Sequence, residues 1–172
     1  MNNPNFNPNM KLSEHFTLGE LTKTSYITND GNIPSQEAIE NLRRLCVDWL
    51  EDLRYIYGMM YGDGDVPLII SSGYRSAEVN RLCGGAVGSN HLTGCAVDIR
   101  CLGPEQMIRY GHILLDLSDE KSHKEDRKTY KKDDPSCENF DEIIFEKRGT
   151  TYWIHFAVRP KGNRRKILFD CR

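Results

Sequence analysis

The sequence predicts an α+β fold, an antiparallel sheet packed with helices, on three observations. A long amphipathic helical pattern begins at Ser35, short β-rich runs lie at 68–72 and 96–101, and a hairpin pattern spans 140–159. With 172 residues, 38% hydrophobic and 28% charged, the chain suits one domain and has no room for a second of similar size. A formal net charge of −2 and a pI of about 6.2 leave no global electrostatic footprint for nucleic acid or an anionic membrane.

The elements follow in chain order. Residues 1–11, rich in Asn and Pro, read as a disordered leader, and 12–172 as the single domain. In "KLSEHFTLGELTKTS", Ser13 starts a turn and Thr17 caps a short helix carrying Leu18 and Leu21. From Ser35, its N-cap, a long helix aligns Ile39, Leu42, Leu45, Cys46, Trp49, Leu50 and Leu53, with Gly58 or Gly62 as the stop. "LIISSGYRS" reads as a buried strand running into a loop at Gly73.

Ser76 caps the short helix "AEVNRLC", which Gly84 and Gly85 end. "AVDIRC" is a second strand, alternating Ala96, Asp98 and Arg100 against Val97 and Ile99. Pro104 opens the next helix, and a charged insertion follows at about 119–136, where "DEKSHKEDRKTYKKDD" is too polar to build a core and reads as a solvated flap. "FDEIIFEKRGTTYWIHFAVR" is a hairpin turning at "KRGTT", and the basic tail adds a last strand.

The N-terminus lacks the basic start and apolar core of a secretory signal, and no apolar run approaches the roughly 20 residues of a membrane span. The protein is therefore expected to be cytoplasmic as synthesised. The six cysteines form no C-x-x-C pair and read as small buried hydrophobes rather than a disulfide framework.

Chemistry concentrates in "SNHLTGCAVDIR", Ser89 to Arg100. His91 precedes the turn at Gly94 and Asp98 lies on the strand beyond it, so both side chains can converge across the bend. The hairpin supplies a third metal-capable group in His155, flanked on its own strand face by Trp153 and Ala157. Two imidazoles and a carboxylate, with a fourth position left to water, form the ligand set of a catalytic zinc. A hydrolase also needs a base; Glu142 and Glu146 share one face of the first hairpin strand, and Glu146, nearer the turn, is the choice.

"SGYRSAEVNRLCGGAVGSNHLTGCAVDI", followed some sixty residues later by "YWIHFAV", resembles the D-Ala-D-Ala carboxypeptidase family of zinc peptidases. Its relatives are the vancomycin-resistance dipeptidases, phage L-alanyl-D-glutamate endolysins and the hedgehog domain. The pattern Ser-x-His-x-x-Gly-x-Ala-x-Asp, met by Ser89, His91, Gly94, Ala96 and Asp98, carries the resemblance with the distant Trp-x-His. "FTLGELTKTS" resembles the start of the domain in its smaller bacterial and phage members.

The resemblance implies a hedgehog/DD-peptidase-like fold, with His91, Asp98 and His155 as zinc ligands and Arg75 of "SGYRS" as a substrate-holding arginine. Ser89 and Trp153 join Arg75 as substrate contacts. Many relatives place a catalytic glutamate three residues before the last histidine, where this chain has Tyr152; "FDEIIFE" resembles a subgroup that points to Glu146 instead.

The activity implied is zinc-dependent hydrolysis of a D-amino-acid-containing peptide bond in peptidoglycan stem peptides, of D,D-carboxypeptidase or endopeptidase type. The protein would act as a monomer, reaching the wall by a phage-type or non-classical route. The alternatives are a zinc-bearing module that binds a cell-wall fragment or protein without cutting it, and a structural phage or envelope protein using the flap as an arm.

Overall fold

The computed structural model describes residues 6–62, 64, 66–124 and 140–171. The helical pattern from Ser35 forms α2 (Gln36–Leu45), a π-helical turn (Cys46–Leu50) and α3 (Glu51–Tyr61), after the short α1 (Leu18–Leu21). Ser35 caps α2 by accepting from the Ala38 N–H at 3.1 Å, and α3 stops at Gly62. Strand β1 (Ile70–Ser72), α4 (Ala77–Leu82), a 3₁₀ turn (Asn90–Thr93), β2 (Ala96–Cys101) and α5 (Pro104–Lys124) follow, then β3 (Glu142–Arg148), β4 (Thr151–Ala157) and β5 (Lys166–Cys171).

The described strands form one sheet of order β1-β2-β4-β3-β5. Strand alternation sorts its two faces. Val97, Ile99, Ile143, Phe145, Ile154 and Phe156 are buried against the helices, where Trp49 meets Phe156 with ring centroids 5.1 Å apart. The opposite face receives the polar set, because Asp98 and Ile144 both stand in register with His155, and Glu146 with Trp153. A register irregularity between Ile70 and Ser72 brings Ser72 opposite Asp98 on this second face.

The sheet is mixed: β1, β2, β4 and β3 are antiparallel neighbours, but β5 runs parallel to β3. After β4 the chain crosses back to the start of β3, where the Arg165 N–H donates to the Phe140 carbonyl and Lys166 to Asp141. Strand β5 therefore begins beside Glu142 and must travel in the direction of β3.

The leader is tied down from Phe6 onward. The Leu18 and Gly19 N–H groups donate to Met10 and Pro8, and Phe6 and Met10 pack against the core. Apolar burial and backbone pairing outweigh the Asn- and Pro-rich composition there; residues 1–5 lie outside the described residues. The charged insertion starts as helix, because α5 continues through 119–124, and an Arg165–Asp119 ion pair holds its beginning. The rest, 125–139, lies outside the described residues.

Among the described cysteines, Cys46, Cys95 and Cys101 are buried, Cys83 and Cys171 are exposed, and all are free thiols. No described helix is long and apolar enough to cross a membrane.

Candidate metal centre

Three elements deliver the metal-capable residues to one point. Asp98 and His155 face each other across the β2–β4 pair. His91 arrives from the 3₁₀ turn, whose N-cap Ser89 accepts the His91 N–H through Oγ at 3.3 Å. That turn ends at Gly94 with φ 71°, and a Cβ at Gly94 would stand 2.4 Å from the Ala38 carbonyl oxygen. Glycine is required both by the left-handed backbone and by the close approach of α2. From α2, buried Asn41 donates to the Thr93 carbonyl at 2.9 Å and fixes the turn from behind.

His91 Nε2, His155 Nδ1 and Asp98 Oδ1 lie 3.0–3.2 Å from one another, all on buried residues. The outer contacts select the tautomers. His91 Nδ1 is 2.6 Å from the Gly73 carbonyl, an acceptor only, so this nitrogen carries the proton and Nε2 offers a lone pair. His155 Nε2 faces the Glu142 carboxylate at 3.7 Å, which favours the proton there and leaves Nδ1 as the inward atom.

With the outer ring nitrogens carrying N–H groups, three atoms able to donate electron pairs converge on one point, an arrangement that suits a cation. Ligand atoms in a tetrahedral zinc site at 2.0–2.2 Å stand about 3.3–3.6 Å apart, a few tenths of an ångström beyond the separations here. His91, Asp98 and His155 together meet the requirements of a metal-holding group.

Electrostatics match. Burial works against the charge of Asp98, but both imidazoles outweigh it and hold the carboxyl far below its ordinary range. Burial also works against a charged His155, yet Asp98 and Glu142 raise its pKa to about 9, so metal at this site displaces a proton.

A family match to peptidase M15 covers residues 14–112, more than half of the chain. The chain belongs to the peptidase M15 family. No curated protein matches it. Peptidases of this family are zinc-dependent, and the donor set of this M15 peptidase fits that metal. The match includes His91 and Asp98 and ends before His155, which the sheet brings to them.

In this M15 peptidase the three residues stand in a cleft of about 710 Å³, which Arg75, Ser89, Glu146 and Trp153 also line. Arg75 is held close to the centre. Its Nη2 donates to Asp98 Oδ2 at 2.5 Å and its Nε to Ser72 Oγ at 2.8 Å, so it steadies the carboxylate that offers its other oxygen to the metal point.

The two glutamates occupy different environments. Contact with His155, then Arg164 and Lys166, lowers Glu142 to about 2 against the effect of burial. Glu146 is raised, by burial first and the Asp98 charge second, while the His155 charge and then a hydrogen bond from the Trp153 side chain partly offset both. A carboxylate held so low is a poor proton acceptor; one raised by burial is the better base.

Sequence reasoning missed the polar group behind Glu142. Fully buried Asp141 receives Arg164 Nε and Nη2 at 2.8 and 2.7 Å and Asn90 Nδ2 at 2.8 Å, and Asn90 Oδ1 accepts from Arg159 Nε at 2.9 Å. The available signals were the Asp of "FDEIIFE", the Asn inside "SNH" and the arginines after "WIHFAV". None of these residues was given a role from sequence.

Proposed function

We propose that this zinc-dependent peptidase hydrolyses a D-amino-acid-containing bond in peptidoglycan stem peptides, as a D,D-carboxypeptidase or endopeptidase acting as a monomer. The observation carrying the reading is the convergence of His91 Nε2, His155 Nδ1 and Asp98 Oδ1 in a cleft that half-buried Glu146 shares. These three residues would hold the zinc. When bound, it supplies Lewis acidity, polarising a carbonyl oxygen and lowering the pKa of water to near 7.

The chain's own groups do the rest. Glu146 accepts a proton from the attacking water and returns it to the leaving amine. Arg75 keeps Asp98 aimed, and together with Ser89 and Trp153 it contacts the substrate, Arg75 through the carboxylate nearest the scissile bond. Glu142 orients His155 by its Nε2 side.

Mass spectrometry of muropeptides incubated with the zinc-loaded protein tests the reading. Released D-alanine identifies a carboxypeptidase and a split cross-link an endopeptidase. Intact muropeptides that nevertheless bind would replace the enzyme with a zinc-bearing binding module.

A further inference from the structure

Four arginines, Arg75, Arg148, Arg159 and Arg164, and three carboxylates, Asp98, Glu142 and Glu146, line the cleft of a chain whose net charge is −2. The positive balance is sharpest at the end of β4. There, among the described residues, Arg159, Arg164 and Lys166 pair with Asp141 and Glu142, three cations against two carboxylates. Arg164 alone meets both oxygens of Asp141, and Asn90 adds a further bond, so Asp141 is compensated without Arg159.

Arg159 is the surplus cation, and it is held in place. Its Nε donates to Asn90 Oδ1 at 2.9 Å and lies 3.1 Å from Asp141 Oδ2. Its backbone is clamped by Asn163, which accepts the Arg159 N–H at 2.8 Å and donates to the Arg159 carbonyl at 3.1 Å. The two terminal Nη atoms have no partner among the described residues, and the side chain, 32% exposed, lines the cleft. A guanidinium fixed through Nε with both Nη atoms available is pre-organised for a carboxylate.

We propose that Arg159 forms a second anion subsite, which grips a carboxylate of the substrate other than the one beside the scissile bond and makes this peptidase selective for acidic peptides. The inference rests on the stem-peptide reading above. Asn90 and Glu142 link Arg159 to His155 through contacts of 2.9, 3.1 and 3.7 Å. With about 2 Å more across each of the Asn90 amide and the His155 ring, the path is at most about 14 Å, so the subsite lies within about four residues of extended peptide, at ~3.4 Å each, from the metal point.

The test uses the zinc-loaded full chain and one stem peptide in three forms: all carboxylates free, the C-terminal one amidated, and the internal one amidated. Cleavage and calorimetric binding are both recorded. The wild type should lose about ten- to a hundredfold in kcat/KM or affinity on amidation of the carboxylate remote from the scissile bond. Arg159→Gln should lose as much on the free peptide, become indifferent to that same amidation, and keep its zinc and its response to the other.

Arg159→Lys retains a cation beside Asp141, guards against a folding defect, and should restore part of the discrimination. Cleavage by the wild type with no carboxylate preference would overturn the subsite and leave the peptidase reading intact, as would undiminished discrimination in a folded Arg159→Gln. Discriminating binding without cleavage would keep the subsite and remove the activity; neither binding nor cleavage would remove both.

Discussion

Exchanging Glu146 for Gln isolates proton transfer from every other contribution of that side chain. Glutamine keeps the length and an oxygen that can accept from Trp153, so packing on this half-buried strand face should hold within about 0.5 kcal/mol. What disappears is the proton acceptor, and positioned general acid–base catalysis contributes about 10²–10⁴-fold, roughly 3–5 kcal/mol of barrier. Zinc content should stay at the wild-type level.

Glu142→Gln is the matched comparison. It weakens contacts to Arg164 at 2.8 Å, Lys166 at 3.5 Å and His155 Nε2 at 3.7 Å, so its effect should appear as metal affinity reduced about 10–100-fold and recover in excess zinc. The assay is kcat across a zinc titration, with a pH profile for the wild type. Because Glu146 is raised from 4.5, and a base works only when deprotonated, the acid limb should lie above that value. Full activity in Glu146→Gln, with Glu142→Gln dead at saturating zinc, would refute the assignment and exchange the two roles.

Three further outcomes are expected. Elemental analysis should find about one zinc per wild-type chain and none in His155→Ala, which loses one corner of the donor set. Burial favours a neutral Asp141, but Arg164, Asn90 and Arg159 more than reverse this and hold its folded pKa below 3.8; its stabilisation is therefore complete above about pH 4 and fades as pH falls through the folded value. Urea midpoints should drop between pH 5 and 3 in the wild type by more than in Asp141→Asn, which should itself cost about 2–4 kcal/mol near neutrality by leaving Arg159 without its carboxylate and Arg164 with Glu142 alone. Gly111→Ala adds helix propensity but drives a Cβ to 2.3 Å from the Phe145 ring, so chemical denaturation should record a net loss of about 1–3 kcal/mol.

Local signals were readable from the sequence, and spatial pairings between distant residues were not. Caps at Thr17, Ser35 and Ser76 and the alternation in "AVDIRC" and "FDEIIFE" act within a few residues, and they agree with the observed elements. The tail could be read as a strand, but its parallel partner could not, since alternation records which faces a strand presents and not which neighbour it joins. The π-helical turn at 46–50 likewise keeps Cys46, Trp49 and Leu50 buried, as an unbroken α-helix would. His91 and Asp98 stood out because a tight turn separates them. Asn90, Asp141, Arg159 and Arg164 did not, because their meaning comes from meeting across more than fifty residues of chain between Asn90 and Asp141.

The opposed tautomers of the two histidines make them chemically unequal. His91 presents Nε2, the nitrogen remote from its backbone, whereas His155 presents Nδ1, the nearer one, so β4 must approach the metal point more closely than the 3₁₀ turn does. A side-chain amide can imitate either atom, but only with the matching reach: glutamine places its nitrogen near a histidine Nε2 position, asparagine near an Nδ1 position. His91→Gln and His155→Asn are accordingly the shape-preserving exchanges, each substituting an N–H donor for a lone pair. The swapped pair, His91→Asn and His155→Gln, leaves a gap at one corner and crowds the other. Cavity shape can in this way be separated from electron-pair donation one ligand at a time, with the Gly73 carbonyl and Glu142 serving as reporters of which ring edge was replaced.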